Sequence, residues 1–322
     1  MTVAAAASRP PQAAPPLSAF APIGGSAFAP IGGSAFAPTG GSVLAPTGGS
    51  ALAPIGGSVR VLTGSGLDPA DDVGAGPALL QDVVARGDGG WLRIYRPPPT
   101  VAFSRRDALQ AGFGRAVQAS TEHGFTPVLR APGGQAAAYH EGALCLELVV
   151  ADADASTGTS RRFVELADVL VEVLRSFGVD ARVGAVPDEY CPGRHSVNGA
   201  GRVKLAGTAQ RVVRGGWFLG AVLLVDGAAP VRDVISPVYE ALGLRCDVAT
   251  IGSVSELCSG IDIDDVTAVL LAALARRLQL QTAQHPSDLL SRARAAALEH
   301  PALPARVLAG AGPITQPVQG DI

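Results

Sequence analysis

From Val59 onward, apolar residues recur at two different periods. Helical spacing places Leu79, Leu80, Val83 and Val84 on one face of 77–87, and Phe163, Leu166, Leu170, Val173 and Leu174 on one face of 160–178. Gly178 supplies a stop for the second of these helices. Further helices are predicted over 107–124, 231–243 and 264–279, with a loose one over 286–299. Strand-like runs occupy 91–97, 126–131 and 143–151, the last two on either side of a Gly-Gly loop. Segments 202–213 and 217–227 read as a hairpin around Arg214-Gly215-Gly216. Strands and helices do not alternate regularly, so the pattern predicts α+β rather than a doubly wound α/β fold.

Before Val59 the pattern is of another kind. Residues 18–57 hold five octapeptides, SAFAPIGG, SAFAPIGG, SAFAPTGG, SVLAPTGG and SALAPIGG. Pro forbids a continuing helix and Gly-Gly weakens a strand, and eight residues is far short of a solenoid unit. Residues 1–58 are therefore expected to be a disordered low-complexity arm, 59–283 the globular domain, and 284–322 the loose helix and a disordered tail. A tether for a partner, or a tandem DNA repeat ahead of the true start, are the other readings of the arm.

Composition narrows the function. The chain has 322 residues, 48% of them hydrophobic and 16% charged, with a net charge of −3. It has no basic field for nucleic acid. No apolar run is long enough to span a bilayer, and the N-terminus lacks a compact secretory core, so the expected location is the cytoplasm. The four cysteines, Cys145, Cys191, Cys246 and Cys258, show neither CxxC nor zinc spacing. With no His-rich cluster either, no metal site is expected.

The residues that stand out lie in two stretches. Cys191 sits in Tyr-Cys-Pro-Gly, a turn that would expose its thiol, although a half-buried structural cysteine would look the same. Lys204 lies between Val203 and Leu205. Its ammonium would suit a carboxylate, a phosphate or a thioester oxygen, or would simply reach solvent from an edge strand. Upstream, Arg130-Ala-Pro-Gly133-Gly134-Gln135-Ala136 offers a close backbone approach to a ligand, or only a turn. His140 follows, as an acid/base group or a hydrogen-bonding core residue. Cys145, between Leu144 and Leu146 in a strand, reads as packing. The chain has neither GxxxxGK[ST] nor GxGxxG between a strand and a helix.

In order, these elements are Arg-x-x-Gly-Gly-x-Ala, a His, Tyr-Cys-Pro-Gly, and Lys-x-x-Gly-Thr-x-Gln-Arg. This resembles the biotin/lipoate protein ligase and transferase superfamily over roughly residues 90–275. It is most similar to the cysteine-dependent octanoyltransferases of lipoate assembly. The resemblance implies one catalytic domain with a curved mixed or antiparallel sheet and helices packed outside. It implies that Cys191 accepts an octanoyl group as a thioester from octanoyl-acyl carrier protein, while Lys204 orients the carbonyl and stabilises its oxyanion. Arg130, Gly133, Gly134, Gln135, Ala136 and His140 would bind substrate on one side, and Gly207, Thr208 and Gln210 on the other. The acceptor would be a lysine of a lipoyl-domain protein, such as a 2-oxoacid dehydrogenase E2 subunit or the glycine cleavage H protein. A two-step transfer of this kind needs no cofactor. The alternatives are an ATP-dependent lipoate–protein ligase, a carrier-to-carrier amidotransferase and a non-catalytic acyl- or carrier-binding protein.

Overall fold

A computed structural model describes residues 50–54 and 57–299, with side chains as far as Ala296. Its organising element is β6 (Ala143–Ala151), nine residues that are all buried. A near-continuous apolar run suits a strand covered on both faces. Around it an eight-stranded sheet runs in the order β11 (Leu280–Thr282), β1 (Val59–Ser65), β2 (Gly90–Arg96), β6, β10 (Gly216–Leu224), β9 (Val203–Val213), β8 (Val197–Gly199), β7 (Ala181–Val183). β1 is parallel to β11 and to β2, and every other neighbouring pair is antiparallel. The sheet is thus mixed, as expected of the α+β class.

On one face, Leu144, Leu146 and Leu148 meet Leu166 and Leu170 of α3 (Thr159–Ser176) and Leu270 and Leu274 of α6 (Ile263–Ala275). On the other, Trp91, Val149 and Phe218 are covered by α1 (Pro69–Arg86) and α7 (Leu289–Glu299). Each fully buried Leu or Val contributes about 1.5–3 kcal/mol. The same face continues under a second, three-stranded sheet, β4 (Thr126–Leu129), β3 (Thr100–Phe103), β5 (Ala137–Tyr139). That sheet is backed by α2 (Phe113–Glu122) and α4 (Ala228–Leu242). The short α5 (Val254–Leu257) begins with a capping box from Ser253 and Glu256. Among the described residues, no helix is long and apolar enough to cross a membrane.

Several expectations change. The helix foreseen over 77–87 starts at Pro69, because Asp71 and Asp72, which break the apolar pattern, are both buried. Pro77 sits inside it, where its missing N–H costs one helical bond. The helix over 107–124 is a 3-10 turn at Asp107–Leu109 followed by α2, with Gly112 between them against Ala241 of α4. Segments 126–131 and 143–151 belong to different sheets. The Gly-Gly loop joins β4 to β5 and is not a hairpin between the two predicted strands. The hairpin of β9 and β10 stands as foreseen.

Most of the octapeptide arm, with Ile55 and Gly56, and the segment after Glu299 lie outside the described residues. Ordered chain extends back at least to Ser50, inside the stretch expected to be disordered. The Ser50 hydroxyl and Ala51 N–H donate to the Glu165 carboxylate at 2.5 and 2.7 Å, and Leu52 is fully buried. Nor is the last helix loose, since Leu289 and Ala296 of α7 are buried in the cluster that includes α1.

A Cβ built on Gly112 would lie 1.6 Å from the Ala241 carbonyl oxygen, whereas one on Gly114 meets nothing within 4 Å. Gly112→Ala must therefore push α2 off α4, and denaturant unfolding should show a loss of about 2 kcal/mol or more. Gly114→Ala should be neutral or slightly stabilising, by about 0.5 kcal/mol.

Candidate active site

The chemistry collects around the turn that precedes β8. Glu189 is 1% exposed and its carboxylate closes this turn on itself. Oε2 accepts from Val186 N–H at 2.8 Å. Oε1 accepts from Gly193 N–H at 3.2 Å, the Ser196 hydroxyl at 2.6 Å and the Lys204 ammonium at 3.1 Å. Lys204, on β9 and 4% exposed, also donates to the carbonyls of Tyr190 at 3.0 Å and Cys191 at 2.7 Å. Its three N–H groups are matched by three acceptors, and its Nζ lies 4.9 Å from the Tyr190 ring centroid. Lys204 therefore grips the peptide carbonyls on both sides of the Cys191 Cα. It is paired, not snorkelling.

Held in this way, Cys191 takes φ 41°, a conformation that costs a non-glycine residue about 1–3 kcal/mol. Its N–H donates to the Tyr239 hydroxyl of α4 at 2.7 Å, and that hydroxyl donates to the Ala136 carbonyl at 3.0 Å. Burial, then the neighbouring Cys191, pushes the Tyr239 pKa up, so the phenol keeps the proton it donates. Tyr239 thus ties the cysteine turn to the Gly-Gly loop. The Cys191 sulfur is half-buried and accepts the Gln135 N–H at 3.3 Å, with Arg130 Nη2 at 3.8 Å. Gly134 has φ 105°, and a Cβ there would stand 3.1 Å from the sulfur and 2.8 Å from Arg130 Nη2. Only glycine lets the loop come this close. Arg130 braces the loop through Nη2 to the carbonyls of Gly133 at 3.0 Å and Gln135 at 2.8 Å.

Cys191 opens on a cavity of about 360 Å³. Arg130, Gly133 and Gly134 line one side of it and Gly207, Thr208 and Gln210 another, so both stretches singled out in the sequence share one cavity. Gln135 and Ala136 act through their backbones, as the donor to the sulfur and the acceptor for Tyr239. His140 does not line the cavity. Its Nε2 bonds the Gly227 carbonyl at 2.7 Å and its Nδ1 accepts Gly142 N–H at 3.0 Å, which makes it a hydrogen-bonding core residue. Cys145 is buried in β6 and also lines the cavity, and burial raises its pKa well above the usual thiol range. Gln210 accepts from Arg162 Nη2 at 3.3 Å, and its buried Nε2 has no partner among the described residues.

Sequence reasoning passed over Glu189 and Tyr239. It also passed over a buried charge cluster in which Arg93 of β2 pairs with Asp72 of α1 and, at 3.2 Å, with Glu147 of β6. Glu189 was visible only as the neighbour of Tyr190. Nothing local marks Tyr239, 48 residues from Cys191. Arg93 and Glu147 did carry a signal, being charges inside otherwise apolar strands.

The model of the lipoyl protein ligase A/B catalytic domain matches residues 68–275. The chain belongs to this family. The octanoyl-[GcvH]:protein N-octanoyltransferase of Geobacillus kaustophilus is 28% identical over 214 residues, 63% of this chain and 74% of that protein. The enzyme of the same name from Exiguobacterium sibiricum is 32% identical over 159 residues, 49% of this chain and 57% of that one. The chain thus spans between about half and three-quarters of these relatives. Two solved structures share the fold. Lipoate-protein ligase A bound with ATP has a TM-score of 0.58 at 20% identity, covering 76% of this chain and 94% of its own. A bi-partite lipoate protein ligase from Thermoplasma acidophilum has a TM-score of 0.57 at 19% identity, covering 76% and 92%. Family membership accords with the resemblance drawn from the sequence.

Removing Glu189 strands a buried ammonium and three further donors. Glu189→Ala should lower unfolding free energy by about 3–5 kcal/mol, and Glu189→Gln by less, since its amide oxygen still accepts. Chemical denaturation of the two variants beside wild type would check the order.

Proposed function

We propose that this member of the family is an acyltransferase of the octanoyl/lipoyl class. It moves a medium-chain acyl group through a thioester on Cys191 to the ε-amine of a lysine on a lipoyl-domain protein. The observation that carries this reading is the Cys191 sulfur, which faces an acyl-sized cavity while its open side receives the Gln135 N–H. The names of the relatives favour the octanoylated glycine cleavage H protein as donor. Octanoyl-acyl carrier protein, the donor implied by the family resemblance, leads to the same acyl-enzyme.

The Cys191 thiolate attacks the donor carbonyl and forms a C–S bond, and negative charge gathers on the carbonyl oxygen. Collapse expels the donor's thiol, or its lysine amine after protonation, and leaves the thioester. The acceptor amine then attacks, its proton passes to solvent as the amide forms, and Cys191 departs as thiolate. Neither step requires ATP: a carrier-protein thioester is already an activated acyl donor, and with an amide donor the bond broken is of the same kind as the bond finally made. Gln135 N–H and Arg130 stand where charge on the sulfur needs donors. Lys204 serves as a positioning residue in this account. All three of its N–H groups are engaged, and contact with an acyl oxygen would require it to release Glu189 or a carbonyl of the cysteine turn.

Intact mass after mixing the protein with either donor, without ATP, tests the reading. The expected result is a gain of one octanoyl group that hydroxylamine removes. In Cys191→Ala the adduct should be absent and transfer slower by a factor on the order of 10³ or more. No adduct from either donor on folded protein, with ligation appearing only when ATP and free acid are added, would replace the transferase with a ligase.

A further inference from the structure

A glutamate stands in the middle of β6. Glu147 is 7% exposed, and antiparallel register sets it beside Arg93 on β2 and Gly220 on β10. Arg93 faces two carboxylates at once, Asp72 and Glu147. Asp72, which also accepts Leu67 N–H at 2.9 Å, already balances the guanidinium. Glu147 is therefore a second, surplus carboxylate in the interior, where an uncompensated charge is costly. Burial, opposed by Arg93, pushes its carboxyl up to about 7. The other titratable neighbours, Tyr95 and Cys145, keep their protons, because burial raises both well above their usual ranges.

The surplus is directional. Glu147 Oε2 accepts from Arg93 Nη1 at 3.2 Å, but Oε1 accepts from the Tyr95 hydroxyl at 3.5 Å, the outer limit of such a bond. This carboxylate lines the same cavity as Cys191. Gly220, its partner on β10, raises no side chain beside it. On the α1 side, a Cβ at Gly76 would come 2.4 Å from the Phe218 ring and 3.4 Å from Glu147 Cδ, so the helix backbone closes down on the carboxyl. Val73, Leu80, Phe218 and Val222 make the remaining wall apolar. The end of a plain hydrocarbon chain pressed here would cover a carboxylate oxygen without giving it a bond.

We propose, building on the acyl-transfer reading, that Glu147 and Tyr95 form a subsite for a hydrogen-bond donor carried toward the far end of the acyl chain. The substrate class is then a medium-chain acyl group with a distal hydroxyl or N–H, preferred over the unsubstituted chain of equal length. The donor completes the lone pair that Tyr95 reaches only at 3.5 Å, and the apolar wall holds the methylenes.

The test is a binding measurement, so that it stands apart from the thioester chemistry. The full chain carrying Cys191→Ala is titrated calorimetrically with the N-acetylcysteamine thioesters of octanoic and 8-hydroxyoctanoic acid. The hydroxylated ligand should bind about ten-fold tighter or better. Adding Glu147→Leu should reverse the preference, while Glu147→Gln, which retains an acceptor, should keep part of it. Equal or tighter binding of the octanoyl thioester before Glu147 is changed would overturn the proposal. So would a preference that survives Glu147→Leu. The first comparison needs no Glu147 variant, so a folding defect in those proteins cannot mask the answer. Absence of a Cys191 adduct in the mass experiment would remove the transferase reading and leave this binding result intact.

Discussion

An ammonium withdrawn from water loses several kcal/mol of hydration unless acceptors surround it. Lys204 recovers that loss at three oxygens, Glu189 Oε1 and the carbonyls of Tyr190 and Cys191. Two of the three belong to the backbone of the turn that carries the candidate nucleophile. The ion pair therefore does more than neutralise charge: it fixes where that turn lies against β9. The strained φ of Cys191 is tolerable because Glu189, Lys204 and Tyr239 together over-determine it.

From this anchor the rest of the site follows through the topology. β9 carries Lys204 and then Gly207, Thr208 and Gln210 along one wall of the cavity. The small sheet delivers the Gly133–Gln135 loop from the opposite side, and α4 sets Tyr239 between loop and turn. The sulfur thus lies where three separately folded segments converge. Packing of α2, α4 and the small sheet into one cluster brings them there. Destabilising that cluster would loosen the site without touching Cys191.

How much of this was legible beforehand depended on whether a signal was local. α3 and α4 were readable because their apolar residues recur at helical spacing over three or more turns, and the β9–β10 hairpin because Arg214-Gly215-Gly216 marks its turn. Strands of three residues, such as β5, β7 and β8, are too short to show a period. The start of α1 was hidden because Asp71 and Asp72 are polar yet buried, Asp72 by a partner on another strand. At the site, the motif residues announced Cys191, Lys204 and the Gly-Gly loop. The residues that hold them did not announce themselves, because Tyr239 and Glu189 act through contacts made only on folding. His140 shows the converse: a residue type suited to catalysis, conspicuous in the sequence, is used by the fold to tie β5 to the start of α4.

The central claim is that the Lys204–Glu189 pair holds Cys191 in a reactive geometry. Its most direct measurement is the rate at which iodoacetamide alkylates Cys191, followed by peptide mass, in wild type and in Lys204→Met of verified fold. The account predicts that the Cys191 alkylation rate changes several-fold in the variant, toward that of an unstructured thiol, while the rates of Cys246 and Cys258 stay as they were. An unchanged Cys191 rate in folded Lys204→Met would contradict it, since the turn would then hold its shape without the ammonium.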